Sequence, residues 1–242
     1  VRSFEDLAVG IPKDNLTILS LAQSLAKSIH HATPAQPNAQ WAESQRTLLQ
    51  KVVRYAPVTV THAWAITATH EKGLESHSYR FEFSNGLSAA GVVFRSVTAP
   101  ETAPTTILIA DSGMTTTATD VANGVDRGQR VLVLDPLFFG KDLRTDHDLH
   151  LSAFEQLLIG IGERPLGLEA AQVNAVVRWL SKDLDHGSST PNNYATQRDS
   201  PVPPVRIITT GPRAETVAIV AAAIQPELFS ELEARESISS LK

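Results

Sequence analysis

The chain has 242 residues, of which 42% are hydrophobic and 19% charged, with a formal net charge of -5 and no cysteine. This length and composition predict a globular chain with one large core, alone or with an appendage. The small negative charge and the scattered Lys and Arg residues argue against nucleic acid or an anionic membrane as a partner, and the lack of Cys excludes disulfides, thiolate catalysis and Cys-based metal sites.

Two amphipathic helices are predicted at the N-terminal end. The stretch LTILSLAQSLAKSIHHA, residues 16–32, places its apolar residues on one stripe, with Asp14 or Asn15 as the N-cap. The stretch WAESQRTLLQKVVRYA, residues 41–56, has similar spacing. We therefore predict a helical leader over residues 1–56, without a membrane-spanning run or a signal-peptide pattern at its start.

From residue 57 onward the pattern predicts strands first and then alternating strands and helices. Residues 58–70 and 76–97 alternate polar and apolar side chains, and Asn85 and Gly86 form the favoured pair for a tight hairpin turn. The runs TTILIADSG, RVLVLDP and VRIITTG are typical of parallel strands buried on both faces, and helical patterns separate them. The fold class predicted for residues 57–242 is α/β, with a doubly wound, mostly parallel sheet and antiparallel N-terminal strands.

One connection is longer than usual. The segment from Asp185 to Pro204 is rich in Ser, Thr, Pro and Asn, and we interpret it as a surface loop between a helix and a strand. Such loops lie at the sheet edge opposite the ligand crevice, so this segment is not a candidate for catalysis.

The order of ILIADSG, RVLVLDPLFFG, a long helix and VRIITTGPRAETVAIVAAA resembles the α/β-hydrolase fold, and most closely its acetyl xylan esterase and dienelactone hydrolase branch. The resemblance covers about residues 60–235. It implies a bacterial, esterase-like context and a domain that lacks the last strands of the fold.

The resemblance also implies a degenerate nucleophile elbow. The family carries G-x-S-x-G on a strained turn between a strand and a helix. Aligning Gly211 with the first glycine places Arg213 at the serine and Glu215 at the second glycine. Arginine stays protonated and is no nucleophile, and Pro212 removes a backbone donor.

The order of catalytic residues points the same way. In the family the serine precedes the acid, and the histidine comes last. Here the last histidine, His186, precedes Arg213, and the sequence continues for only 29 residues beyond Arg213. We therefore predict that this chain alone is inactive, apart from the residual catalysis that binding and an oxyanion hole provide.

Three further residues at predicted strand exits are candidate site residues. Asp111 follows the first parallel strand, where its carboxylate would oppose oxyanion stabilisation, and its alternative role is to cap the next helix. Ser112 is a candidate nucleophile, and Asp135 matches a strand-end acid of active relatives, with a structural role as the alternative. The histidines available as bases are His62, His70, His77 and His186.

One short segment contains metal-ligating residue types. Asp146, His147, Asp148 and His150 lie within five residues, but adjacent ligands on one loop seldom converge on a single ion. A solvated loop is the favoured interpretation, and no metal or other cofactor is predicted.

Three functional hypotheses follow. The first is a non-catalytic structural or binding module beside another domain or chain of an esterase-like protein. The second is part of an active carboxylic-ester hydrolase whose last strands lie elsewhere. The third is an interaction subunit, or a homo-oligomer, that pairs through an open sheet edge. The sequence leaves the compartment open, with export as one alternative.

Overall fold

The computed structural model describes residues 16–29, 37–100, 102–140, 148–183 and 204–237. By contacts between its residues the chain divides into two units, residues 1–42 and 43–242. Among the described helices, none has the length and apolar character needed to cross a lipid bilayer.

The first unit contains helix α1, Ile18–Ser28, which buries none of its side chains. The N-cap is Thr17, whose Oγ1 accepts a hydrogen bond from the Ser20 amide at 3.1 Å. The predicted caps Asp14 and Asn15 lie outside the described residues. The amphipathic helix is confirmed, but it begins after a threonine cap.

Helix α2, Ala39–Val53, crosses the boundary between the two units. Its last residue, Val53, is buried in the core of the second unit. The unit that contains the sheet spans residues 43–242, and the domain division after residue 56 stays a prediction.

The second unit is built on one sheet of seven strands in the order β1-β2-β3-β5-β4-β6-β7. Strands β1 to β3 are antiparallel, β3 pairs antiparallel with β5, and the pairs among β5, β4, β6 and β7 are parallel. This arrangement confirms the predicted mostly parallel sheet with antiparallel N-terminal strands. The strands are β1 Val60–Glu71, β2 Leu74–Phe83, β3 Ser88–Ser96, β4 Thr105–Ala110, β5 Arg130–Asp135, β6 Val205–Thr210 and β7 Phe229–Arg235.

Four helices and two short 3-10 turns connect the strands from β4 onward. One 3-10 turn follows β4 and the other precedes β7. These elements are the turn Met114–Thr116, α3 Ala118–Asp126, α4 Asp148–Gly160, α5 Pro165–Asp183, α6 Pro212–Ile224 and the turn Pro226–Leu228.

The turns agree with the predicted hairpin, whereas the last strand was not predicted. Gly86, with φ of +80°, lies in the turn between β2 and β3, as the Asn85-Gly86 pair predicts. Strand β7 continues the parallel sheet beyond β6. Of the predicted loop from Asp185 to Pro204, only Pro204 lies within the described residues.

Side chains of the central strands alternate between two faces of the sheet. On the large-core face, Ile107 and Ile207 pack against α5, α6 and the end of α2. On the α3 face, Leu108 and Ile208 pack in a smaller cluster with Val121 of α3. Because the central strands are buried on both faces, their sequences are continuous apolar runs.

Candidate functional site at the carboxyl edge of the sheet

Three sequence-predicted site residues meet at one edge of the sheet. Asp111 directly follows β4, Asp135 ends β5 and Gly211 directly follows β6. Strands β5, β4 and β6 are parallel neighbours, so their carboxyl ends lie side by side. In open α/β sheets, ligands bind in the crevice at this edge.

The turn from β6 to α6 is strained at Gly211. This residue has φ of +101° and ψ of 156°, and α6 begins at Pro212. The hydrolase nucleophile belongs on the strained strand-to-helix turn itself, so its geometric counterpart here is Gly211. Arg213 is already the second residue of the helix, two positions beyond the turn. Arg213, which the sequence alignment placed at the serine, thus lies two residues after the glycine of the turn.

Asp111 occupies the space beside this turn. Its Oδ1 accepts a hydrogen bond from the Ala214 amide at 2.7 Å, and its Oδ2 accepts one from the Arg213 amide at 3.2 Å. A Cβ atom at Gly211 would lie 2.5 Å from the Asp111 Cγ and 2.6 Å from its Oδ2. A glycine is therefore required here both by the positive φ and by the close approach of this carboxylate.

The capping prediction for Asp111 is right in kind but wrong in its helix. We predicted a cap for the next helix in the chain, α3, whereas Asp111 caps α6 from 102 residues away. At α3 the N-cap is Thr117, whose hydroxyl makes no capping bond and donates to the Met114 carbonyl at 2.8 Å. The carboxylate at the N-terminus of α6 is favoured by the exposed amides and the helix dipole there.

Backbone donors for an oxyanion differ from those of an active hydrolase. In that fold one donor is the amide of the residue after the nucleophile, and the second comes from the loop that follows β4 in this chain. The residue after Gly211 is Pro212, which has no amide hydrogen. In addition, the Asp111 carboxylate lies directly beside Gly211.

The Arg213 side chain joins three helices. Its Nη2 donates to Glu169 Oε1 of α5 at 2.6 Å and to Glu155 Oε1 of α4 at 3.3 Å. Its guanidinium carbon lies 4.9 Å from the ring centre of Phe139 and 5.8 Å from that of Phe138. These contacts make Arg213 an ion-pair and cation–π centre.

Glu169 is the most buried charged group of this cluster, with a side chain 3% exposed. Burial raises its pKa, since removal from water disfavours the charged carboxylate. The Arg213 guanidinium opposes this rise, and Glu155 adds to it.

A cavity of about 800 Å³ opens beside this cluster, a size within the range of small-molecule pockets. Arg213, Glu169 and Glu155 contribute charge to its wall, and Arg54 and Arg164 add two further cations. The apolar part of the wall consists of Ile159, Pro165, Leu166 and Val217.

Asp135 lies at the end of β5, and two glycines approach its carboxylate. A Cβ at Gly140 would lie 2.5 Å from Asp135 Oδ2, and one at Gly113 would lie 3.3 Å from the same oxygen. That oxygen also accepts a long hydrogen bond, 3.5 Å, from the Met114 amide. These contacts fit a structural role in closing the loops after β4 and β5, although they do not test a catalytic one.

The remaining predicted residues do not assemble into a triad within the described part of the chain. Ser112 is half-buried next to Asp111, and no hydrogen bond to its hydroxyl from a described histidine is present. His77 instead bonds Glu75 at 2.7 Å, and His62 lies 3.7 Å from Glu82. Glu215 lies in the first turn of α6.

The short segment with metal-ligating residue types lies mostly outside the described residues. Asp146 and His147 lie outside the described residues, and Asp148 and His150 are described only as backbone at the start of α4. Among the described side chains, no cluster of three or more His, Asp or Glu residues could hold a metal ion.

Sequence reasoning missed Glu169, Glu155 and the two phenylalanines. The one available signal was a row of polar residues in an otherwise apolar helix, GLEAAQVNAVV. Two other members of that row, Gln172 and Asn174, are also buried and bonded: Gln172 Oε1 accepts from the Leu137 amide at 2.7 Å.

Neither a protein-family model nor a curated protein sequence matches the chain. Among solved structures, a Bacteroides fragilis protein provisionally named an acetyl xylan esterase superposes with a TM-score of 0.64 at 11% identity, over 92% of this chain and 62% of that one. A glucuronoyl esterase from Solibacter usitatus has a TM-score of 0.54 at 11% identity, over 83% and 59%. A cold-adapted esterase from an Arctic intertidal metagenomic library has a TM-score of 0.50 at 13% identity, over 72% and 65%.

The sheet and these superpositions define the class: the chain has an α/β-hydrolase fold, as the sequence resemblance predicted. Its structural neighbours are acetyl xylan, glucuronoyl and other esterases. The chain spans about three fifths of the length of these proteins, 59% to 65%. At 11–13% identity the likeness concerns the fold alone.

Proposed function

We propose that the chain is a non-catalytic α/β-hydrolase-fold domain that serves an esterase-like protein as a structural or binding module. The observation that supports this most directly is the Asp111 carboxylate, bonded to two amides of α6 beside Gly211. An acyl-transfer site needs a nucleophile on the turn and donors for the oxyanion. Here a glycine, a proline and a carboxylate take those places.

These three features depend on one another. A serine at position 211 would bring its Cβ to 2.5 Å from the Asp111 Cγ, so Gly211→Ser alone overpacks the turn. Removing the carboxylate would leave two amides of α6 without their acceptor, and Pro212 would still lack a donor. Single substitutions are therefore not expected to create an esterase.

The test is a search for turnover and for an acyl-type adduct. The chain is incubated with p-nitrophenyl acetate, with acetylated xylan and with a fluorophosphonate probe, and is then examined by intact-mass measurement. We expect release no faster than with heat-denatured protein, and no added mass. Ser112→Ala is the matched variant, because Ser112 is the serine next to the carboxyl edge.

A contrary result would assign the alternative function. Saturable turnover, or a probe adduct that Ser112→Ala abolishes, would support an active carboxylic-ester hydrolase with Ser112 as its nucleophile. A probe adduct on another serine would also remove the proposal.

The partner proposed for such a module is another domain or chain of the same esterase-like protein. It is supported by the coverage, 62% of the Bacteroides fragilis structure. Self-association through the sheet edge at β7 is the other proposal, although charged side chains on an edge strand, such as Glu231 and Arg235, disfavour pairing. Light scattering of the purified chain at several concentrations tests it, and a monomer throughout would contradict self-association.

A further inference from the structure

An exposed tryptophan stands out on the β1–β2 hairpin. Trp64 in β1 is 51% exposed, whereas Trp179 packs against the large core. Exposed indoles are costly, because a large apolar surface stays in water. Isolated apolar side chains on a surface need no explanation, but this indole is also held in a fixed orientation.

The His62 side chain orients the Trp64 ring. The His62 ring stacks on it with centres 5.1 Å apart and planes 11° apart. A ring that is already oriented loses little conformational entropy when a ligand binds to it.

The residues around the indole form a polar strip on the same face of the hairpin. Residues directly opposite each other in an antiparallel pair share a face, and the register shift after Ala65 keeps the pairs beyond it on this face. All members are exposed or half-buried. The opposed pairs are His62 with Glu82, Trp64 with Arg80, Thr67 with Ser78, and Thr69 with Ser76.

The charges of the strip are balanced. Arg80 forms an ion pair with Glu82, and Nδ1 of His62 lies 3.7 Å from the same carboxylate. The strip otherwise carries hydroxyl groups, including Thr69 Oγ1 and Ser76 Oγ at 2.6 Å from each other. A surface with this balance has no preference for a polyanion or a polycation.

From these observations we propose that the strip around Trp64 binds a neutral oligosaccharide. A sugar ring presents C–H groups on its faces and hydroxyls at its rim. The C–H groups suit the negative face of an indole, and the hydroxyls match the row of Ser, Thr, Arg and Glu side chains as donors and acceptors. From the pair His62–Glu82 to the pair Thr69–Ser76 the strip runs for about 20 Å, at a rise of ~3.4 Å per residue of β2, so several sugar units fit along it.

A protein partner suits this face less well. The centres of protein interfaces are depleted of charge and carry several apolar anchors. Here one indole is surrounded by hydroxyls and by charged groups. The inference goes beyond the proposed function, because sugar binding on this hairpin and ester turnover at the carboxyl edge are measured separately.

Titration calorimetry with two hexasaccharides, one of β-1,4-linked xylose and one of β-1,4-linked glucose, tests the proposal. We expect saturable binding of at least one of them to the chain. Trp64→Ala should weaken that binding about tenfold or more, and Trp64→Phe, which keeps a smaller aromatic ring, should weaken it less. Ile66→Ala is the matched control, because Ile66 is an exposed apolar residue on the same strand, and it should leave binding within about twofold. Circular dichroism verifies that each variant is folded.

Three results would overturn the proposal. The first is no saturable binding of either hexasaccharide up to millimolar concentration. The second is binding that Trp64→Ala leaves unchanged. The third is concentration-dependent association of the chain that Trp64→Ala abolishes, since this would assign the face to a second copy.

Discussion

Among the described residues, the large-core face of the sheet packs against α5, α6 and the end of α2, whereas the α3 face is covered by a single helix of nine residues. Beyond α3, that second face carries an open apolar groove next to Met114 and Val121. Its β6–β7 side carries ion pairs instead of apolar contacts, including Arg206 with Glu231 at 3.2 Å. We therefore expect apolar burial on the large-core face to contribute more to the free energy of unfolding than charge pairing on the α3 face.

Two consecutive isoleucines of β6 give the sharpest test of this comparison. Ile207 is 0% exposed on the large-core face, and Ile208 is 4% exposed on the α3 face. Ile207→Ala should lower the free energy of unfolding by about 4 kcal/mol and Ile208→Ala by about 2 kcal/mol, because the smaller cluster borders an open groove and can relax or admit water. Urea unfolding measures both, with exposed Ile219→Ala as control. Equal losses would refute the comparison.

Arg213→Met tests the ion pairs of Arg213 with Glu169 and Glu155. The variant leaves Glu169 buried without its cation, and we expect a loss of about 2 kcal/mol near neutral pH, below the ~3–5 kcal/mol typical of fully buried pairs. The smaller value reflects the 33% exposure of the Arg213 side chain. Urea unfolding at pH 7 measures it.

The same variant has a predicted pH dependence. The folded-state pKa of Glu169 is raised above its usual value, so the protonated group favours folding at low pH, and this contribution is lost as pH rises through the folded pKa. Arg213 opposes that rise, so its removal should matter little below about pH 4.5 and more as pH increases. Adding Glu169→Gln should flatten the pH dependence. A loss that does not vary with pH would contradict the assigned pairing.

Glu75 on β2 is a carboxyl group whose pKa is shifted in the opposite direction to that of Glu169. Hydrogen bonds from Arg95 and His77 lower its pKa from 4.5 to about 2. A lowered pKa contributes stability above the unfolded value, and that contribution is lost as pH falls from about 4.5 towards 2. Glu75→Gln should cost about 1 kcal/mol at pH 7 and almost nothing at pH 2, as measured by urea unfolding. If Glu75→Gln destabilised the chain more at pH 2 than at pH 7, the lowered pKa of Glu75 would be contradicted.

The smallest effect is expected on the α3 face. Arg235 donates to Asp120 at 2.6 Å and to Glu233 at 2.7 Å. Arg235→Gln should cost at most about 1 kcal/mol at low salt and less in 1 M NaCl, because exposed pairs are screened. Thermal unfolding at the two salt concentrations measures it. A cost that is independent of salt would mean that packing, not charge, holds this side.

Much of the sheet was predictable because local patterns carry it. The period-two stretches, the Asn85-Gly86 turn and the apolar runs at 105–110, 130–135 and 205–210 all became the expected strands. Strand β7 was missed because FSELEAR has a short alternating pattern with charged residues, which also suits a helix. The burial of Val53 was not predicted, because it packs in a core whose other members are mostly distant in sequence.

The candidate site was harder to predict, because its residues come from separate elements. Gly211 and Pro212 are visible in the sequence, but the positive φ of Gly211 and the start of α6 at Pro212 are known only from the structure. The partners of Arg213 come from α4, α5 and the loop after β5, and no local pattern links these elements.

The sequence by itself determined the fold class, since the hydrophobic periods and turn residues are local properties of the chain. It also determined that position 211 has no side chain and that position 212 has no amide hydrogen. Only the tertiary structure decided that Asp111 fills the turn at Gly211, because 100 residues separate the carboxylate from that turn and only strand pairing brings them together.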